Sequence, residues 1–506
     1  MMSHLVIVPL LLPLLAGIIL VLLGKSASTL RRSLSLFSTL LLIAVALELM
    51  LRVGDGSVLV YQLGNWPAPF GIVLVADRLA AIMVLITAIL AACAAIYSVR
   101  GGDQPERNFH ILFQLQLFGL NGAFLTGDLF NLFVFFEVLL IASYGLLLHG
   151  GGPERIRAGL HYVVLNLVGS ILFLFAVGTL YGLLGTLNMA DLAQRLANVA
   201  PQDLGVVRAA GLLLFVVFAL KAALAPLHLW LPGAYGYTSA PVAAMFAIMT
   251  KVGAYAILRV HSLMFGPDAG PLAGLLQPWL LPLALITVVA GTVGVLASQR
   301  LSQQAAYLVV VSAGTLLTAF GIGGSEAFAA GLYYLAHTTF AAAALFLLAD
   351  VLGRARGATH DRLVSGPELP SGQLLAGVFL LIALAVGGMP PLSGFIGKWL
   401  ILQASMGQPG MPWVFGVLLV TSLLVIMALA RSGTLLFLKI DEGAIASAPA
   451  RAADLGAPLV LALVGIGLVV YAGPLYEFGQ AAAIQLSQPG NYLAAVLQST
   501  AGGVSP

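Results

Sequence analysis

The sequence predicts an all-α polytopic membrane protein of about fourteen transmembrane helices, and three observations carry that expectation. Hydrophobic residues fill 60% of the 506 positions and charged residues only 8%, against roughly 25% charged in soluble domains. The apolar residues gather in uninterrupted runs close to the roughly 20 residues that cross a bilayer as a helix. Glycine, proline and charge bound those runs, and no polar stretch between them is long enough for a soluble domain.

The runs lie at roughly 4 to 23, 33 to 51, 72 to 99, 108 to 126, 128 to 148, 157 to 184, 206 to 230, 240 to 264, 272 to 297, 303 to 322, 325 to 352, 371 to 405, 411 to 438 and 456 to 475. The first begins without a basic segment or a small-residue cleavage pattern, so it reads as a retained span. The polar interruptions at about 185 to 205, 353 to 370 and 439 to 455 suit loops or short surface helices. Odd-numbered loops hold Lys25, Arg31, Arg32, Arg100, Arg107, Arg155, Arg157, Arg300, Arg354, Arg356, Arg362, Lys439 and Arg451. Even-numbered loops hold Arg52, Arg195, Arg208 and Arg259. That bias places the odd loops in the cytoplasm and both termini on the outer side.

Composition also excludes. A net charge of +3 is too small to indicate a nucleic-acid partner, and Cys93, the single cysteine, rules out disulfides within the chain and cysteine-ligated zinc or iron–sulfur sites. Cys93 itself reads as a small apolar helix residue. No GxxxxGK[ST] loop is present, so energy comes from a gradient or a partner rather than from a nucleotide bound here.

Two spans are interrupted. Apolar sequence carrying Lys221 near its middle runs into Pro226, His228 and the Trp230-Leu231-Pro232-Gly233 break, and the next span carries Lys251. Five spans later Gly387, Gly388, Pro390, Pro391 and Gly394 precede Lys398. Broken helices survive in a bilayer only where protein or a wet cavity surrounds them, and paired ones in corresponding positions signal internal repeats. Because five is odd, the two five-helix units are inverted. The expected organisation is a three-helix segment (1–106), a first unit of spans four to eight (107–265), a second of spans nine to thirteen (272–438), and a last span with its tail (439–506).

The charges left inside are few, and a charge in hydrocarbon costs enough that it marks a pathway or a pair. Glu137 sits deep in the fifth span among apolar helical neighbours, so its counter-ion has to come from another helix, and Lys221 at comparable depth is the expected partner. Whether a buried carboxylate holds its proton depends on the distance to an ammonium, which makes the pair switchable. Lys221, Lys251 and Lys398 are side chains whose ionisation responds readily to hydration and neighbouring charge. His337 and His228 can pass protons along hydrogen-bonded water, although a satisfied core histidine is the competing account of each. Asp128 can cap the fifth span. Asp77 and Arg78 read as interfacial, Arg431 as an anchor, and Glu48 as snorkelling. Together these residues imply an ion-translocating protein.

At these residues the chain resembles the antiporter-like subunits shared by respiratory complex I, membrane-bound hydrogenases and the Mrp-type multisubunit cation/proton antiporters, with the D subunits of the Mrp type as the nearest likeness. The phrases NGAFLTGDLFNLFVFFEVLLIASYGLLL, FALKAALAPLHLWLPGAYGYTSAPVAAMFAIMTKVGAYAILR and GGMPPLSGFIGKWLIL carry the resemblance. It implies two inverted five-helix repeats with a lateral polar axis, and a proton relay through Glu137, Lys221, Lys251, His337 and Lys398. His228, Pro226, Pro390, Pro391 and Asp128 would lend further support to the relay or the helix breaks. It implies no cofactor and no bound metal. The expected partners are other subunits of the complex, protons, Na+ or K+, and the lipid of a bacterial cell membrane. The same residues would serve a proton-pumping subunit of a redox complex, the alternative reading. Two departures stand out: Ala341 occupies a position where relatives often carry lysine, and Gln299-Arg300-Leu301-Ser302 replaces a more charged segment. Both thin the polar axis in the second half.

Overall fold

The computed structural model describes residues 2–23, 28–99, 108–441 and 452–498. Lys25, Arg100, Arg107 and Arg451, used above for orientation, lie outside the described residues. In chain order the elements are α1 (Val8–Leu22), α2 (Ser28–Val53), strands β1 (Leu59–Gln62) and β2 (Val73–Ala76), α3 (Arg78–Tyr97), α4 (Phe109–Leu125), α5 (Leu129–Leu148), α6 (Pro153–Leu184) and α7 (Met189–Leu196). There follow α8 (Leu204–Lys221), α9 (Trp230–Tyr237), α10 (Ala240–Met264), α11 (Gln277–Ala297), α12 (Leu301–Ile322) and α13 (Ser325–Ala355). The chain continues with α14 (Gly372–Gly387), α15 (Ser393–Ala404), α16 (Met411–Gly433), α17 (Gly456–Val470), α18 (Ala472–Ser487) and α19 (Gly490–Gln498).

Among the described residues, 12 helices are long and apolar enough to cross a membrane, and the shorter apolar helices α4 and α14 fill the two remaining runs. The fold is thus the expected all-α membrane bundle. Helix α10 is buried along its entire spanning window and α12 and α13 along 83% of theirs, whereas α1, α2 and α16 are buried over only 33%. The axis of the bundle is therefore α10–α12–α13, and these helices carry Lys251, Ser312 and His337. The outer helices turn Leu, Ile, Val and Phe outward, as a surface solvated by acyl chains requires.

Three features depart from the sequence reading. Residues 59–62 and 73–76 form an antiparallel hairpin pairing Leu59 with Ala76 and Gln62 with Val73. Its β-branched and aromatic residues flank a Gly- and Pro-rich turn, but four-residue strands are invisible to windows sized for spans. The last span ends at Val470, close to the expected end, and after a break at Tyr471 a further helix missed by the sequence reading, α18, runs to Ser487 and lies against α13 and α3. Arg259, counted above as a loop charge, is 4% exposed inside α10. It donates to Asp77 at 2.5 and 2.6 Å and to the Tyr255 hydroxyl at 3.1 Å, with the Tyr492 ring of α19 at 5.6 Å.

Asp77, expected at the interface, is itself 2% exposed, and it caps α3 by accepting from the Ala80 amide at 2.9 Å. The pair therefore ties α3, α10 and α19 together on the even-loop side. Replacing Asp77 with Asn would leave the Arg259 charge buried without its counter-ion, at an expected cost of about 3–5 kcal/mol. A thermal unfolding midpoint equal to the parent's would show that the pair contributes nothing.

Candidate functional site

The first polar centre lies between α5, α6 and α8. Helix α8 ends on Lys221 itself, not beyond it as the sequence suggested. Ala223 takes a positive φ of 56°, and Pro226 follows without an amide proton. The backbone groups freed by the break find partners: the Ala225 amide donates to Thr287 Oγ1 of α11 at 2.8 Å, and Trp230 Nε1 donates to the Leu220 carbonyl at 3.1 Å. Trp230 to Gly233, expected to be the break, instead open α9. Pro232 is its third residue, where an amide has no intrahelical acceptor and a proline costs little.

Lys221 is 5% exposed and donates to Asn166 Oδ1 at 3.1 Å, with its ammonium 5.9 Å from the centre of the Phe136 ring. Glu137, half-buried on α5, accepts from the Ser170 hydroxyl. Asn166 and Ser170 are one turn apart on α6, and Ser170 Oγ also reaches the Asn166 carbonyl at 3.0 Å. The expected direct ion pair is therefore a relayed one: no contact within 4 Å joins Glu137 to Lys221, and two uncharged polar side chains of α6 stand between them. At Gly169 on α6 a Cβ would lie 2.6 Å from a terminal methyl of Leu220 and 3.9 Å from the Lys221 side chain, so α8 passes close at this turn.

The second centre is Lys251, completely buried in α10, whose ammonium donates to Ser312 Oγ of α12 at 2.8 Å. The third gathers around the second break. There α14 ends at Gly388 with φ 79°, and the chain passes Pro390 and Pro391 into α15. Lys398, on α15, folds back to donate to the Gly387 carbonyl at 2.9 Å and to Ser422 Oγ at 3.0 Å. An ammonium at a helix C-terminus meets the negative end of the dipole. His337, 3% exposed on α13, pairs through Nδ1 with Ser393 Oγ at 2.8 Å.

Between the second and third centres lies a cavity of about 30 Å3, lined by Ser312, Thr315, His337, Thr338, Lys398 and Ser422 among others. That is room for one or two waters among several polar partners. Ala341 lines the same cavity, so the small side chain noted in the sequence leaves space where a longer one would fill it. The polar groups thus run from Glu137 through α6, α8, α10, α12 and α13 to Lys398. Lys221 and Lys251 share no hydrogen bond, although their helices touch so closely at Gly253 that a Cβ there would lie 2.4 Å from the Ala222 nitrogen.

The other candidates stand apart. His228 lies in the turn before α9 with Nδ1 buried and unpartnered, and it makes no hydrogen bond to Lys221. Asp128 caps α5 through the Asn131 amide at 2.8 Å and bridges to Asn188 beside α7. Nine residues from Glu137, it is about 13 Å away along the helix. Arg431 is exposed. Asn166, Ser170, Ser312, Ser393 and Ser422 escaped the sequence reading. The one available signal was the i, i+4 spacing of Asn166 and Ser170 within an apolar run.

Residues 126–426 match the family described as "NADH:quinone oxidoreductase/Mrp antiporter, TM". The chain is 42% identical to a Rhizobium meliloti protein named as the D subunit of a probable K(+)/H(+) antiporter, over 99% of both sequences. It is 36% identical to the D subunit of the Na(+)/H(+) antiporter of Alkalihalophilus pseudofirmus, over 98% of this chain and all of that one. A chain in the structure of the Mrp complex from Dietzia sp. superposes with a TM-score of 0.87 at 27% identity, covering 98% of this chain and 99% of that one. The chain belongs to the NADH:quinone oxidoreductase/Mrp antiporter family of membrane subunits.

Proposed function

We propose that this chain is the proton-conducting subunit of a multisubunit Na+ or K+/proton antiporter, driven by the proton motive force. Protons would pass along Glu137, Lys221, Lys251, His337 and Lys398, with Asn166, Ser170, Ser312 and the small cavity as intermediates. One observation carries this reading: a file of titratable and hydroxyl groups traverses the best-buried helices of an otherwise apolar bundle, where an unused charge would be lost cheaply. The antiporter names of its relatives support cation exchange over redox-driven pumping, the alternative reading that the family description also covers. The arginine-rich odd loops would face the cytoplasm, and the units around the two breaks, α4–α10 and α11–α16, would be inverted repeats. The outward face of α5, with Phe130, Val134 and Ile141 exposed beside half-buried Glu137, suits a neighbouring subunit of the complex.

The test is Lys221→Ala and Lys251→Ala in the assembled complex, in everted vesicles energised to an acid interior and then given NaCl or KCl. Each substitution is expected to slow cation-induced dissipation of the pH gradient about a hundredfold with subunit content unchanged. Parental rates in both would remove the relay assignment.

A further inference from the structure

The turn that follows Lys221 is held by a hydroxyl of α11, a helix outside the proposed α4–α10 unit. We propose that Thr287 is a positioning residue for Lys221, by which the helix pair α11–α12, already in contact with Lys251 through Ser312, also sets the turn beneath Lys221. The proposal rests on the relay reading of Lys221.

The backbone of the first break shows why one hydroxyl matters. The amides of Ala222, Ala223, Leu224 and Leu227 donate to the carbonyls of Phe218, Leu220, Ala219 and Leu224, at 2.8, 3.2, 2.9 and 2.7 Å. All four bonds stay within the segment. Pro226 has no amide proton to place. Ala225 is thus the residue of this stretch whose amide is answered from another helix, by Thr287 Oγ1 at 2.8 Å. Thr287 gives its own proton to the Leu283 carbonyl at 2.7 Å, so toward Ala225 it acts as an acceptor. Ala225 and Thr287 are both buried, and a buried amide without an acceptor is strongly disfavoured. Trp230, which donates to the Leu220 carbonyl at 3.1 Å, fixes the near side of the same turn from α9.

The consequence reaches further because α11 and α12 are seated backbone to backbone. A Cβ at Gly291 would lie 2.9 Å from the Val311 nitrogen, and one at Gly314 would lie 2.8 Å from the Val288 nitrogen. Helices in such contact cannot slide past one another without overpacking. Thr287 precedes Val288, and Ser312 follows Val311. One rigid contact therefore carries both the acceptor for the Ala225 amide and the acceptor for the Lys251 ammonium, Ser312 Oγ at 2.8 Å. Ala225 lies about one helical turn beyond Lys221 in the chain. If its amide loses Thr287, the turn relaxes and the ammonium no longer keeps its 3.1 Å contact with Asn166 Oδ1, the group that leads through Ser170 to Glu137.

The experiment uses the assembled complex in everted vesicles, with cation-induced dissipation of the pH gradient normalised to subunit content. Thr287→Val keeps the shape of the side chain and removes the acceptor. Its maximal exchange rate is expected to fall about tenfold, roughly one lost hydrogen bond, while the Na+ or K+ concentration giving half that rate stays parental. Thr287→Ser restores the hydroxyl and should run near the parental rate. Thr287→Cys, a weaker acceptor in the same place, should fall between the two, and the order of Ser above Cys decides the matter if the valine variant does not accumulate. Equal rates in the Ser, Cys and Val variants would overturn the positioning role. So would a loss that appears as a raised half-saturating cation concentration, which would put Thr287 on the route of the cation. With Lys221→Ala inactive, either result leaves the relay standing; parental rates in Lys221→Ala would overturn both.

Discussion

Replacing Glu137 with Gln is expected to abolish cation-linked proton movement, lowering its rate about a hundredfold or more, while the complex still assembles. Gln has nearly the volume of Glu, and its amide oxygen can still accept from Ser170, so the bridge through Asn166 to Lys221 keeps its shape. What disappears is the carboxylate of the polar file. Without it no anion in that file compensates three buried ammonium groups, and no group at its α5 end can take up and release a proton. The comparison is the rate of pH-gradient dissipation on adding Na+ or K+ to everted vesicles, normalised to the amount of subunit in the membrane. A normal rate at normal abundance would mean that protons do not pass through Glu137.

Substituting Gly253 with Val is expected to prevent a folded subunit from accumulating. A Cβ at this position would lie 2.4 Å from the Ala222 nitrogen and 2.7 Å from the Lys221 carbonyl carbon. Both are backbone atoms of the α8 break and neither can rotate aside. Overpacking a core typically costs about 1–3 kcal/mol when side chains can adjust; here the helix carrying Lys251 must move as a body. Gly394 plays the same part at the second break, where a Cβ would lie 2.0 Å from the Ala385 carbonyl and 2.8 Å from His337 Nε2. At each break, then, a glycine seats a broken helix against a helix that bears a proposed relay residue. Detergent-extracted yield and thermal stability are the readouts, and a parental melting curve for Gly253→Val would contradict this account of the contact.

Charge in an apolar setting is what made the proposed relay residues stand out. Glu137, Lys221, Lys251 and Lys398 stand out because hydrocarbon tolerates so few ionised groups, and Pro226, Pro390 and Pro391 announce breaks because they lack an amide proton. Where the first break falls was not legible. Ala222 to Ala225 read as helix and Trp230 to Gly233 as interruption, yet Thr287 of a distant helix supplies the hydrogen bond that settles the turn. The hydroxyls were harder still. Ser170, Thr315 and Ser312 each return a hydrogen bond to a carbonyl three or four residues back, as serines and threonines in apolar helices commonly do. What sets Ser312 apart is the Lys251 ammonium that reaches it from another helix. Arg259 misled in the opposite sense, since its counter-ion Asp77 lies 182 residues away. Ala341 gave a half-signal: its smallness was visible, but the cavity it helps to line depends on Ser312, Lys398 and Ser422 closing around it.

That cavity gives the most direct test of whether the file works as a connected path. Ala341→Leu would fill the roughly one- or two-water space while leaving Lys251, His337 and Lys398 unsubstituted, and Ala341→Ser would keep it small and polar. If protons cross there on water, the exchange rate of the Leu variant falls at least tenfold, the equivalent of about 1.4 kcal/mol on the transfer barrier, and the Ser variant runs near the parental rate. Parental exchange in a correctly assembled Ala341→Leu complex would show that the second and third centres are not joined through this space.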